Sequence, residues 1–383
     1  MKARDVHLQY SFEAAGQHGA ALHNPLFELL GAVHEHGSIQ RAATAMGASY
    51  RHVWGALKRW EAALGEPLVT WSQGQPARLT EFADRLLWAE TRARTRLTPH
   101  IEALRGELRR VLNEALDGTQ HVLTVYASHD LALPQLCELA REQQGLHIEL
   151  RFVGSVDALH ALAQGRCLVA GFHLPPLQQG AAHFAAAMKP LLKPGQHKLI
   201  GCLRRVQGLM VRAGNPLRIR GLSDLLPGEG RDPARPPRLI NRQPGSGSRL
   251  LLAHLLAAQG LSSELICGHD DPPEHSHVAV AAAVASGSAD VAIGIEAAAR
   301  QFGLDFVPLI AEDYFLVCLK DVLDHPAVLK LRQTLASSEW PASLAALPGY
   351  TPAHGGEVLS LTQALPWWRF RRPKPAQRRL AVS

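Results

Sequence analysis

Apolar positions in residues 39–64 recur three and four apart: Ile39, Ala42, Ala43 and Met46, then, beyond Gly47, Val53, Trp54, Leu57 and Leu64. That spacing gathers each set on one face of a helix. Ser38 and Ser49 stand just ahead of the two runs, where a hydroxyl can accept from the unpaired N–H groups of a first turn, and Gly47 breaks the chain between them. Residues 67–71 and 78–80 read as short strands around the Gly/Pro segment 72–76, and Thr80 can cap a helix starting near Glu81. From 81 to 115 a narrow stripe continues through Leu86, Leu87, Leu97, Ile101, Leu104, Leu108, Val111 and Leu112, with Pro99 expected to kink or interrupt it. A helix cannot bury such a stripe alone. A matching helix from a second copy is the natural cover, and packing on the C-terminal part of the same chain is the alternative.

After Asp117-Gly118 the pattern changes to strand-type runs alternating with helices. Residues 121–127, 147–153 and 167–172 predict strands, with helices through Leu139 and over 156–163. This alternation implies a mainly parallel sheet with helices on its faces, and ligands of such sheets bind at the carboxyl ends of the strands. Those ends carry Ser128, His129, Gly154, Ser155, Gly171, Phe172 and His173. A second α/β lobe begins near Leu209, with strands at 238–242 and 289–295 and helices at 250–258, 278–284 and 296–301. Between strand and helix lies Pro244-Gly245-Ser246-Gly247-Ser248-Arg249. Free N–H groups, hydroxyls and a helix N-terminus converge there, with Arg242 and Arg249 adding charge, which makes an anion site of Arg242, Ser246, Gly247, Ser248 and Arg249. Tyr314 either closes over a ligand with its hydroxyl or is a core aromatic, and Asp290 reads as a brace.

At 383 residues and 46% apolar composition the chain has room for two or three domains with real cores. The net charge of +6 favours a polyanionic partner modestly. No run is long enough to span a bilayer and no N-terminal segment has signal character, which leads us to expect a cytoplasmic protein without membrane association. Cys137, Cys167, Cys202, Cys267 and Cys318 are scattered without metal or redox spacing. The histidines at 34, 36, 269, 275 and 277 also lack zinc spacing, so no metal is expected. Ser128-His129-Asp130 holds three triad residue types, but sequence neighbours point apart and cannot form a nucleophile–base relay. The Gly-rich segments match neither the P-loop nor the dinucleotide fingerprint, and no enzyme is expected.

Two helices joined by a Gly turn and followed by a two-stranded wing form a winged helix-turn-helix, whose second helix reads the major groove of duplex DNA. Tyr50, Arg51, His52, Lys58 and Arg59 are its groove-facing candidates, with Ser38 and Ser49 at the helix starts and Gln73, Gln75 and Arg78 on the wing. The pattern GSIxxAAxxxGxSYRxxWxxLKxxExxLGxPLV over residues 37–69 resembles the ModE and LysR-type bacterial regulators. Met46 stands where Leu is usual, and Phe82-Ala83 where a Gly often follows. The segments YASHDLALPQL, FVGSVDAL, AGFHLP and LINRQPGSGSRLLLAHLLAAQG, with residues 277–316, resemble the type II periplasmic-binding-protein fold, with GSGSR in place of the usual GSGTR.

The resemblance implies a fold both α+β and α/β. A winged helix-turn-helix (1–80) leads into a linker and dimerisation helix (81–117), a two-lobed effector domain (118–365) and a basic tail (366–383). It further implies a homodimer or homotetramer on double-stranded operator DNA, answering a small anion. Molybdate or tungstate is the effector that the likeness suggests, with no other cofactor. Formate, a molybdenum-cofactor fragment, or an enzyme fused to a DNA-binding head are the alternatives. The tail reads as a solvated segment or a supplementary phosphate contact.

Overall fold

The computed structural model describes residues 24–70, 76–116, 121–176, 182–227 and 235–368. The chain forms two compact units, Met1–Leu87 and Trp88–Ser383. In the first, helix α1 (Pro25–His36) precedes α2 (Ile39–Ala45) and α3 (Tyr50–Leu64). The sequence reading began at Gly37 and missed α1, although Asn24 caps it and Pro25 opens it in the usual helix-start manner. Leu26, Leu29, Leu30 and Val33 of α1 close the core around Ile39, Ala42, Ala43, Val53 and Leu57. Gly37 ends α1 at φ 57°, where a left-handed residue is needed. Strands β1 (Val69–Thr70) and β2 (Arg78–Leu79) pair antiparallel to form the wing.

Helix α4 runs without interruption over Glu81–Leu116, through position 99, where the sequence led us to expect a kink or an interruption; the interruption does not occur. Proline removes one N–H, and the helix continues through that single loss. The hydroxyls of Thr95 and Thr98 donate to the Arg92 and Arg94 carbonyls at 2.9 and 2.8 Å.

The second unit is built on one nine-stranded sheet. In chain order its elements are β3 (His121–Ser128), α5 (Leu133–Gln144), β4 (Leu146–Val153), α6 (Ser155–Ala163), β5 (Val169–Leu174) and α7 (Ala182–Met188). There follow β6 (His197–Val211), β7 (Leu239–Ile240), α8 (Gly247–Ala258), α9 (His277–Ala285), β8 (Val291–Ile295), α10 (Glu296–Gln301) and β9 (Asp305–Leu319). The chain closes with α11 (Pro326–Leu335), α12 (Glu339–Ala345), β10 (Tyr350–Pro352), β11 (Val358–Ser360) and α13 (Leu361–Ala364).

The strand order is β4-β3-β5-β9-β6-β8-β7, with β10 and β11 on β6. The sheet is mixed and not mainly parallel as predicted. The short strands of each lobe run parallel, but β6 and β9, 15 residues each, cross both lobes antiparallel to each other and to their neighbours. Alternation along the strands sends side chains to opposite faces. On β9, Tyr314, Leu316 and Cys318 enter one core, and Phe315 and Val317 enter the other. Helices α5, α9, α11 and α12 cover the first face, and α6, α7, α8 and α13 the second.

Candidate functional site

On the head, Ser38 and Ser49 accept from the Arg41 and His52 amides at 3.4 and 3.2 Å, so their hydroxyls serve as N-caps. Tyr50, Arg51, His52, Lys58 and Arg59 of α3 are exposed, as is Arg78 on the wing. Tyr50 stacks on Trp54 with centroids 6.4 Å apart and planes 6° from parallel. Lys58 is differently placed from its neighbours. Its ammonium lies 4.7 Å from the Trp54 ring centre and 2.8 Å from a Glu61 carboxylate oxygen. The other Glu61 oxygen accepts from the Leu68 and Val69 amides at 2.9 and 3.4 Å, tying α3 to the wing. Burial opposes the Glu61 charge, but Lys58 and the two amides outweigh it and hold the carboxyl below its ordinary pKa. Gln73, Gln75 and residues 369–383 of the tail lie outside the described residues.

In the second unit the carboxyl ends of β3 and β4 meet the start of α8. The Val156 amide donates to the Gly245 carbonyl at 3.3 Å, a direct backbone bond between lobes. Gly154 permits the approach, because a β-carbon there would lie 3.0 Å from the Gly245 oxygen. A β-carbon on Gly247 would likewise sit 3.0 Å from Ser155 Oγ and 3.7 Å from His173 Nδ1. Ser128 Oγ and His173 Nδ1 are 2.7 Å apart, and Gln207 Nε2 donates to Ser248 Oγ at 3.1 Å. Ser128, Ser155, His173, Arg242, Ser246 and Ser248 are all buried.

An ion network underlies this cleft. Arg205 donates to Asp130 at 2.6 Å and to Glu312 at 2.8 Å, while Gln207 Nε2 also donates to Glu312 at 2.9 Å. Tyr350 OH and the Ala132 amide donate to Asp130 at 3.0 and 2.7 Å. Burial alone would raise the Asp130 carboxyl, but Arg205 and His173 outweigh it and hold it well below the usual carboxylate range. Burial and then Arg242 push His129 down to about 3. Burial lowers His173 and His277 as well, with Arg205 and Arg242 respectively the next cause. All three rings are therefore neutral near neutral pH.

Arg242 differs from Arg205 in having no carboxylate partner among the described residues. Its Nε donates to Gln243 Oε1 at 3.0 Å and its Nη2 to the His275 carbonyl at 3.1 Å. Burial, with the Arg205 charge second, lowers its pKa to about 9. Among the described residues the buried polar atoms without a hydrogen-bond partner include Ser155 Oγ, Gln207 Oε1, His129 Nδ1 and His277 Nδ1, and the Arg242 charge acts on both of these histidines.

The predicted cleft residues thus assemble, with exceptions. Ser246 is occupied as the α8 N-cap, accepting from the Arg249 amide at 3.3 Å. The Arg249 guanidinium turns to Asp270 at 3.0 Å and the Arg242 carbonyl, and so does not add charge to the cleft. Tyr314 is a fully buried strut whose hydroxyl donates to the Ser128 carbonyl at 3.2 Å and whose ring meets His173 edge-on. Gly171 and Phe172 lie inside β5, which runs two residues further than predicted. Asp290 braces the second lobe, accepting from Arg212 and from the Arg238 amide at 3.1 and 3.0 Å.

The sequence reading missed Gln207, Glu312, Arg205 and His277. Arg205 and Gln207, two apart and so on one strand face, stood as polar residues in an otherwise apolar run and could have marked a buried site. Ser128, His173 and Asp130 do not form a catalytic relay. His173 Nε2 lies 3.6 Å from Asp130, beyond a hydrogen bond, and that carboxylate is already satisfied.

Residues 26–84 match the helix-turn-helix of bacterial regulatory proteins of the lysR family, and residues 136–336 match the PBP superfamily domain. An uncharacterized Bacillus subtilis protein, YvgK, is 34% identical over 209 residues, covering 55% of this chain. The chain spans 64% of that relative's length. An uncharacterized Clostridium pasteurianum protein from the 5′ region of a ferredoxin gene is 37% identical over 86 residues, 22% of this chain and 76% of its own. A full-length BenM variant of known structure aligns over 84% of this chain and 95% of its own at 15% identity and a TM-score of 0.41. Since the PBP match takes in more than half of its length, the chain belongs to the PBP superfamily, with a head that is similar to the lysR-family helix-turn-helix.

Proposed function

We propose that this chain is a ligand-responsive transcriptional regulator that binds operator DNA through α3 and the wing, acts as a homo-oligomer, and senses a small anion in the cleft of its PBP-like unit. The observation that carries the effector reading is Arg242, a buried guanidinium with no carboxylate partner among the described residues, whose charge acts on the buried His129 and His277. A buried unpaired cation is costly, and an anionic ligand relieves that cost. Each hydrogen bond to a charged group contributes about 1.5–3 kcal/mol. Ser155 and Ser248, buried where the two lobes meet, supply neutral hydroxyls. Molybdate, tungstate, formate and a molybdenum-cofactor fragment are the candidates that the sequence resemblance brings forward.

Calorimetry on the full chain with this panel, paired with gel shifts on operator and scrambled DNA, tests both halves. Arg242→Gln is expected to weaken binding of the active anion at least about tenfold, roughly 1.4 kcal/mol. Arg51→Ala is expected to reduce operator preference by about 1–3 kcal/mol if it meets a base edge. An Arg242→Gln chain that binds the anion as wild type does removes the effector reading, and an unchanged operator preference reduces Arg51 to a phosphate contact.

A further inference from the structure

We infer that the effector is an anion that also carries an O–H or N–H donor, in preference to a bare, fully deprotonated oxyanion. The inference rests on the reading of the cleft as an anion site and narrows it.

The argument turns on Gln207. Its side chain is fully buried, and its orientation is fixed from outside the cleft. Nε2 faces Glu312 Oε1 at 2.9 Å, and a carboxylate there accepts, so the amide nitrogen must point that way. The same nitrogen reaches Ser248 Oγ at 3.1 Å, which uses both amide hydrogens. Gln207 Oε1 is left as an atom that only accepts and has no partner among the described residues. A buried acceptor left unmade costs about 1–3 kcal/mol. Sulfate or molybdate offers this oxygen nothing but further lone pairs, and its approach adds repulsion to that cost.

The surrounding groups extend the same demand. Neutral imidazoles each carry one acceptor nitrogen and one N–H, and the rings of His129 and His277, their centres 6.3 Å apart, leave their Nδ1 atoms unpartnered among the described residues, so these groups suit a ligand that both accepts and donates. Against the bare Gln207 oxygen stands Arg242, a cation with no carboxylate partner among the described residues, whereas Arg205 is already shared by Asp130 and Glu312. A positive charge together with a bare acceptor fits a ligand with an anionic end and a hydrogen-bearing polar group. Hydrogen phosphate and a hydroxycarboxylate both have that chemistry.

The test is calorimetry on the full chain with two matched pairs near neutral pH: phosphate against sulfate, and glycolate against acetate, with molybdate alongside. The donor-bearing member of at least one pair is expected to bind at least about tenfold more tightly than its partner. The pair that discriminates tells phosphate-like from carboxylate-like effectors. Gln207→Met, which keeps the volume and removes the acceptor, is expected to reduce that preference to within about twofold. Because Gln207 also braces Ser248 and Glu312, cooperative melting of the variant is checked first, and the wild-type ranking tests the inference without it. Sulfate, molybdate and acetate binding as tightly as phosphate and glycolate would overturn the donor requirement and leave the anion site standing. Binding of no anion at all would overturn both.

Discussion

The three buried histidines of the cleft make the residue scale sensitive to acid. In the folded chain His129 titrates at about 3 because burial and the Arg242 charge oppose its proton, whereas an exposed histidine takes one near 6.5. His173 and His277 are shifted the same way. Between those two values the unfolded chain binds more protons than the folded one, so stability is full above about 6.5 and falls as the pH is lowered toward 3. The expected result is a melting temperature that drops through this window, with a shallower drop in His277→Gln. Equal slopes for the two chains would remove His277 from the effect. Only part of this site was legible in the sequence. Ser128, Ser155 and His173 could be placed because each stands at or near a strand's carboxyl end. Arg205 with Asp130, and Gln207 with Ser248, are partners 75 and 41 residues apart, and local spacing carries no trace of such pairs.

At the scale of elements, α4 poses the sharpest question. Leu97 and Leu104 are 37% and 44% exposed along its length, which leaves the predicted stripe uncovered by this chain at those two positions. We predict that a second copy covers it. The double variant Leu97→Arg/Leu104→Arg should give a monomer by light scattering with the PBP-like unit still folded by calorimetry, and a dimer of undiminished stability would reject the helix as the interface. Helices α2 and α3 of the head were readable because caps and apolar spacing are local: Ser38, Ser49 and Gly47 each act within one turn of themselves, whereas α1, with signals of the same kind at Asn24 and Pro25, was missed. The unbroken passage of α4 through Pro99 was not readable, since a proline's loss of one bond is decided by the length of helix on either side. The mixed sheet was missed for a related reason. Strand direction depends on which strands become neighbours, and β6 and β9 pair across about a hundred residues of intervening chain.

Within the second unit of the molecule, α4 is joined to the cleft by charge. Arg96 of α4 chelates Glu274 through Nε at 2.9 and 3.1 Å, and its Nη2 donates to the same carboxylate. The Glu274 backbone pairs with Asn241 and Gln243 at 3.0 and 3.1 Å, the two residues that flank Arg242. A ligand that shifts Arg242 therefore moves the segment to which the helix is pinned, and coupling of this kind is typically worth about 1–3 kcal/mol. Arg96→Ala should leave anion affinity within about threefold while the anion's effect on operator affinity shrinks by a factor of about three or more. An anion effect of wild-type size in gel shifts would rule the ion pair out as a relay. The bond from Val156 to Gly245 has a kinetic side as well. With the lobes bonded to each other here, we predict that effector entry follows the spontaneous opening of this bond. In stopped-flow mixing the observed binding rate should then level off as effector concentration rises, at a plateau equal to the rate of spontaneous opening. A rate that climbs linearly without limit would mean that the door stands open.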